Sequence, residues 1–235
     1  MAQAGSRASL GVVIPVYNEA ANIGATLEAL TRSVKTQHRI HIVHDFEEDD
    51  TLPVARVHQR RGLDIDFVLN PARGVANAIK VGLAYATEPY LLVSMADNSD
   101  DYRIVDAMCA RMDAGADIVC GSRYMRGGHQ RGGPLLKRTL SRLAGVSMYH
   151  LARLPTHDAT NSFKLYRRRL LEELTIESDG GFEIAMEIVV KAHRLGRRID
   201  ELPALWTDRA FGQSRFNLRA WIPKYLRWYL YALRS

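Results

Sequence analysis

Apolar runs that stop abruptly in polar or acidic clusters recur along the first half of the chain. Residues 10–16 (LGVVIPV) are a β-branched apolar run broken by Pro15, and YNEAANIGATLEAL behind it has its apolar positions at helical spacing, which predicts strand, loop, helix. Residues 39–43 and 65–69 predict two more strands, ending in HDFEEDDT and NPARG, with helices at 52–59 and 76–86. The pattern is sharpest at residues 90–101, YLLVSMADNSDD, where Leu91, Leu92 and Val93 give way to Asp97, Asn98, Ser99, Asp100 and Asp101. A helix at 104–112 and a strand at 118–120 complete the alternation. Alternating β and α elements predict a parallel, doubly wound α/β sheet, which binds ligands beyond the carboxyl ends of its strands. The 97–101 cluster would then supply oxygen ligands to a hard divalent cation that bridges protein and phosphate, or it would only cap the next helix.

After GSRYMRGGHQRGG, a glycine-rich basic loop suited to mobility or close phosphate approach, the composition changes. Residues 134–154 predict a long helix carrying Lys137, Arg138, Arg142 and Arg153 among leucines, and residues 182–195 predict a second. The strand-like IDELPALW leads into TDRAFGQSRF. The last stretch, LRAWIPKYLRWYLYALRS, mixes Trp and Tyr with Lys and Arg, the composition of a segment lying in a bilayer interface or packed as a helix on the core or a second copy. Pro223 argues against one uninterrupted helix there unless it sits in the first turn.

With 235 residues the chain fits one domain with an appendage, and its 47% hydrophobic and 25% charged content is that of a globular protein. No apolar run is of membrane-spanning length, and the first ten residues do not resemble a secretory signal, so a cytoplasmic location is expected. Cys109 and Cys120 read as buried thiols rather than a disulfide framework. A net charge of +6 calls for an anionic partner: nucleotide phosphates, a phospholipid surface or nucleic acid.

The segments IPVYNEAANI, HDFEEDDT, RGVANAIKVG, MADNSDD, GSRYMRGG, DATNSFKLY and DRAFGQSRF stand in the order found in family 2 glycosyltransferases, and the chain most resembles the dolichol- or polyprenyl-phosphate mannosyl- and glucosyltransferases. The resemblance covers residues 10 to about 216 and implies a GT-A fold, a Rossmann-like doubly wound, mostly parallel sheet with a helical, membrane-facing C-terminal part. It divides the chain into a flexible N-terminus (1–9), a catalytic domain (10–216) and an amphipathic aromatic and basic segment (217–235). It implies inverting transfer of a hexose, mannose or glucose, from a GDP- or UDP-linked donor to a polyprenyl or dolichyl phosphate.

By the same resemblance Pro15, Tyr17, Glu19, Asp45 and Ala96 line the nucleotide-sugar pocket. His44 stands where relatives have the first of two aspartates. Asp97 matches the second aspartate of the metal motif Asp-x-Asp, Met95 replaces the first, and Ser99 takes the place of a further ligand, so Mg2+ or Mn2+ is the expected cofactor, with Asp100 or Asp101 able to compensate. Arg123, Arg209 and Arg215 match basic residues that meet the donor diphosphate and acceptor phosphate, where they stabilise the charge that develops as the sugar bond breaks. Lys137, Arg138 and Ser141 are candidates for the acceptor phosphate.

A lipid phosphate is already an oxyanion and attacks without a general base. A hydroxyl acceptor in a polysaccharide or glycolipid would need one, and Asp158 or the 97–101 cluster are the available carboxylates. A non-catalytic nucleotide-sugar-binding scaffold is the reading that takes Met95 and His44 at face value. Nucleic-acid binding is set aside, since the positive charge falls at phosphate and membrane positions. The expected enzyme is peripheral at the cytoplasmic face of a membrane, or truncated before membrane helices, with a membrane-protein partner or a homo-oligomer open.

Overall fold

The computed structural model describes residues 9–209 and 218–234, and side chains from residue 221 in the second of these stretches. Strand β1 (Leu10–Val16) leads to helix α1 (Ala20–Ser33), β2 (His38–His44) to α2 (Thr51–Arg60), and β3 (Ile65–Leu69) to α3 (Val75–Tyr85). Strand β4 (Tyr90–Val93) is followed by a 3-10 turn (Tyr102–Ile104), α4 (Val105–Asp113) and β5 (Ile118–Ser122). Each sequence-predicted element of this half is present, with ends shifted by three residues at most. The reason is plain in the burial: β1 and β4 sit in the middle of the sheet, and their uninterrupted apolar runs are covered on both faces.

The second half adds β6 (His129–Arg131), α5 (Leu135–Leu151), β7 (Lys164–Arg167), α6 (Arg168–Glu173), α7 (Glu183–Arg194), β8 (Ile199–Pro203), β9 (Leu205–Thr207) and α8 (Leu218–Leu233). The large sheet has seven strands in the order β3-β2-β1-β4-β7-β5-β8. Strand β7 is antiparallel to both of its neighbours, with Val93 opposite Lys164 on one side and Cys120 opposite Lys164 on the other. All other pairs in that sheet are parallel. Sequence reasoning missed β7 because KLYR is four residues long and carries a lysine and an arginine, which hides an element that is in fact central. It missed β6 and α6 for the same shortness.

Alternation along the strands splits the core into two layers. Val12, Ile14, Ile42, Leu92 and Leu165 face α1, α2 and α4. Val13, Val43, Val93, Cys120 and Tyr166 face α3, α7 and α8. Both cysteines are free and buried, as expected, and burial pushes each thiol up to about 11.

Contrary to expectation, α8 runs on through Pro223. Proline at the sixth position removes one bond, to the Arg219 carbonyl, and its ring faces solvent, so the interruption is local. The aromatic rings of this helix also face inward rather than toward an interface: Trp228 is 2% exposed and donates from Nε1 to Ser178 at 2.9 Å, and Trp221 lies against Phe182 at 5.3 Å. The outward positions are Ile222, Leu226 and Leu230. No helix among the described residues is long and apolar enough to cross a membrane.

Candidate active site

The strand order turns around between β1 and β4, and the loops beyond the carboxyl ends of these strands hold the candidate donor residues. Pro15 is buried within β1, in register with Val43. Tyr17 stands exposed at the rim with its ring edge-on to Phe46 at 5.4 Å. The loop it belongs to is stapled to the acidic turn after β2: the Asn18 N–H donates to Asp49 Oδ2 at 3.0 Å and the Glu19 N–H to Thr51 Oγ1 at 2.9 Å. Asn18 takes a φ of 53°, the left-handed region that asparagine tolerates.

Asp45 is occupied. Its Oδ1 accepts from Asn70 Nδ2 at 2.6 Å and its Oδ2 from the Gly74 N–H at 2.8 Å, so it holds the loop that starts α3. His44 Nδ1 lies 3.0 Å from the Phe46 carbonyl, which can only accept, and this places the Nδ1 proton.

Ala96, Asp97 and Ser99 form the floor. Ala96 is buried and its carbonyl accepts from Thr26 Oγ1 at 2.7 Å. Asp97 Oδ1 accepts from the Ser99 N–H at 3.2 Å, and its Oδ2 meets Arg209 Nη2 at 2.8 Å. Arg209 Nη1 is 3.7 Å from Glu19 Oε1, so this guanidinium bridges the loops after β1 and β4. Ser99 Oγ is buried without a hydrogen-bond partner.

Asp100 and Asp101, the residues able to compensate for Met95, both have partners elsewhere. Asp100 Oδ2 turns back to accept from Ser94 Oγ at 2.8 Å and the Met95 N–H at 2.9 Å, and burial, with Asp97 adding to it, pushes its carboxyl up to about 7. Asp101 accepts from Arg103 Nε at 2.7 Å and the Leu205 N–H at 3.1 Å. Among the described residues no cluster of three or more His, Cys, Asp or Glu is placed to hold a metal ion. What remains is one carboxylate now balanced by a guanidinium, with an orphaned hydroxyl two residues on. These oxygens fit a hard divalent cation that takes its other ligands from a diphosphate and water rather than from a protein cage.

A groove of about 650 Å³ runs from this floor past Arg123 to α5, α7 and α8. Arg123 is expected from sequence to face phosphate directly, yet its guanidinium is clamped: Nε donates to Asp158 Oδ2 at 2.7 Å and Nη2 to Asp158 Oδ1 at 2.9 Å. Nη2 also reaches Ser141 Oγ at 3.0 Å and Thr160 Oγ1 at 3.2 Å. Burial alone would raise the Asp158 carboxyl, but the Arg123 charge and its hydrogen bonds outweigh it and hold it below the ordinary carboxylate range. With both oxygens taken and its proton affinity lowered, Asp158 is a poor general base. Lys137, Arg138 and Ser141 all line the groove. The apolar Leu140, Leu143, Ile222 and Leu226 line it as well. Arg215 lies outside the described residues.

Sequence reasoning missed the clamp. The signal available was DATN, an acidic residue and a threonine two apart in a turn just ahead of an otherwise apolar segment.

The profile of the family described as glycosyl transferase family 2 matches residues 11–175. The chain belongs to this family. Its GT-A fold and its glycosyltransferase relatives make it a hexosyltransferase. One relative, polyprenol monophosphomannose synthase of Mycolicibacterium smegmatis, is 27% identical over 92% of this chain and 85% of its own length. A glycosyltransferase of Mycobacterium bovis is 29% identical over 88% of each chain. Among solved structures, glucosyl-3-phosphoglycerate synthase of Mycobacterium tuberculosis, in complex with Mn2+, UDP and glucosyl-3-phosphoglycerate, superposes with a TM-score of 0.72 at 17% identity, over 97% of this chain and 81% of that one. At that identity the likeness is one of fold.

In this glycosyltransferase the Met95 side chain lines the groove beside Asp97. Met95→Asp is therefore expected to tighten Mn2+ binding in the presence of UDP or GDP by about tenfold, since a second carboxylate adds a ligand charge. Titration followed by the Mn2+ electron paramagnetic resonance signal checks this, and an unchanged affinity would mean that position 95 does not reach the cation.

Proposed function

We propose that the enzyme transfers a hexose, with inversion, from a nucleoside diphosphate sugar to a polyprenyl phosphate at a membrane surface. One observation carries the reading: the Asp97–Arg209 floor, the basic Lys137 and Arg138, and the apolar Leu140, Leu143, Ile222 and Leu226 of α5 and α8 all line a single groove. A donor diphosphate, an acceptor phosphate and a hydrocarbon chain need these three kinds of surface together. The relative named for polyprenol monophosphomannose synthesis supports the acceptor class, and the solved relatives holding UDP with Mn2+ or Mg2+ support the donor class.

In this reading Asp97 and Ser99 would hold Mg2+ or Mn2+, which supplies charge neutralisation to the leaving diphosphate. Tyr17 at the rim and the stapled 17–19 loop border the nucleoside. Asp45 acts indirectly, by fixing the loop before α3 rather than by offering an oxygen to the base. Arg209 is placed to exchange Asp97 for the diphosphate. The acceptor phosphate, held by Lys137, Arg138 and Ser141, attacks the anomeric carbon. The new C–O bond forms as the bond to the diphosphate breaks, and the electron pair leaves with the nucleoside diphosphate. The engagement of Asp158 by Arg123 supports a phosphate acceptor over a hydroxyl one, because Asp158 is not free to serve as the base that a hydroxyl would need.

Leu136, Leu143, Ile222 and Leu226 stand exposed on α5 and α8, near the basic Arg142 and Arg227. Deleting α8 would not test membrane binding cleanly, since losing the buried Trp228 alone would cost about 3–5 kcal/mol of stability. The surface variant Ile222→Ser with Leu226→Ser is the better probe. It is expected to weaken binding to anionic vesicles and transfer to a long-chain lipid phosphate by roughly tenfold or more, with a short acceptor and nucleotide binding spared. Lys137→Glu is expected to impair short and long acceptors alike. Equal behaviour of the two variants on both acceptors would remove the lipid-phosphate reading. The activity itself is tested by offering GDP- and UDP-sugars with Mg2+ or Mn2+ and a short polyprenyl phosphate, following the anomeric configuration of the product. A retained configuration, or transfer only to hydroxyl acceptors, would overturn the proposal.

A further inference from the structure

Lys164 is fully buried in β7, in the middle of the seven-stranded sheet. A lysine is almost never placed there without a partner, because desolvating an ammonium costs several kcal/mol. Its Nζ donates to the carbonyl of Ala159 at 3.1 Å and to that of Asn161, five and three residues back along the chain. The turn 158–161 thus curls over its own lysine. Thr160 and Asp158 in that turn are the groups that hold Arg123, and the Asn161 side chain ties the turn to the Gly121 carbonyl at 2.8 Å. From the other side Glu201 accepts from the His157 N–H at 2.8 Å and from Thr156 Oγ1 at 3.1 Å.

The charges around this turn explain why an ammonium is there. Asp158 neutralises Arg123, and a neutral pair has little attraction for a phosphate. Lys164 adds a second cation behind this pair, on the core side of the turn that carries Thr160 and Asn161, both of which line the groove, while Glu201 on the turn's other side is engaged by His157 and Thr156. We propose that Lys164 is an electrostatic positioning residue for the acceptor subsite: it fixes the turn that aims Arg123 and supplies the surplus positive charge that the Arg123–Asp158 pair lacks. This deepens the acceptor-phosphate reading given above and rests on it. Lys164 does not line the groove and touches no substrate.

The groups facing Lys164 are Asp158 and the Arg123 guanidinium, with Cys120 beside it on β5. Burial lowers the lysine's pKa, while Asp158 and the two carbonyl acceptors favour the charged form.

Two variants separate charge from scaffolding. Lys164→Gln keeps a hydrogen-bond donor and loses the charge; Lys164→Met keeps the volume and loses both. Calorimetric binding of phenyl phosphate and of a short prenyl phosphate is expected to weaken by about tenfold in Lys164→Gln, with UDP or GDP affinity unchanged and the acceptor KM rising more than kcat falls. Should Lys164→Met not fold, Lys164→Gln still decides the matter. Wild-type affinity for phosphomonoesters in Lys164→Gln would overturn the charge assignment and leave a purely structural lysine. A wild-type protein that binds no phosphomonoester would overturn the acceptor reading itself, and this assignment with it.

Discussion

Asp97→Ala is expected to lower kcat for hexose transfer by about two to three orders of magnitude, the loss seen when a group stabilising transition-state charge is removed, while the protein stays folded. The expectation follows from what Asp97 touches. Among the described residues its carboxylate meets the Ser99 N–H and Arg209, and neither belongs to the hydrophobic core. Removing it leaves no buried charge behind, because Arg209 is free to turn to solvent or to Glu19. Met95 stands in place of a carboxylate, and Asp100 and Asp101 are engaged by the Met95 N–H and Arg103, so neither is free to replace Asp97. Rates with and without Mn2+, beside a thermal melt, make the measurement. Full activity with unchanged metal dependence would remove Asp97 from the site.

Arg123→Met is expected to cost both stability and function. It strips the partner from a fully buried aspartate, and breaking a buried pair in this way costs about 3–5 kcal/mol. For a chain of this size that lowers Tm by on the order of 10 °C. The pH dependence should change sign. In the wild type the Asp158 carboxyl is held below its unfolded value, so its contribution is fully present above that value and is lost as pH falls through the folded one. Without Arg123, burial is the dominant influence, so acidification relieves the penalty instead of creating one. Chemical unfolding at neutral and mildly acidic pH reads this directly. Adding Asp158→Leu should recover much of the stability and none of the acceptor use, which separates the fold's need for the pair from the reaction's. A double variant that regains transfer would remove Arg123 from the chemistry.

The first half of the fold was legible because β1 and β4 are central and buried on both faces, so their apolar runs are unbroken, and because β2 and β4 each give way abruptly to an acidic turn, at Asp45 and Asp97. The order of the site segments pointed to the family because each keeps its residue pattern in sequence whether it folds as strand, loop or helix. Strand β7 was not legible, since its inward position is filled by Lys164, whose burial depends on carbonyls of a turn that only the tertiary fold brings back over it. Whether the rings of α8 face the core or an interface was left open by the sequence, because composition counts tryptophan and tyrosine without saying which way they point. Asp100 looked like a spare ligand until the Met95 N–H was seen to claim it.

Strand β7 has one more consequence. It lies between β4, which leads to Asp97, and β5, which leads to Arg123, and is hydrogen-bonded to both. Two strand spacings, about 9.6 Å, therefore separate the strands that lead to Asp97 and to Arg123. The sheet works as a ruler whose divisions are backbone bonds, which no side-chain substitution can lengthen. Over evolutionary time, changes of sugar, base or lipid would have to be written into the loops and into α5 and α8, while the gap that the transferred group must cross stays constant.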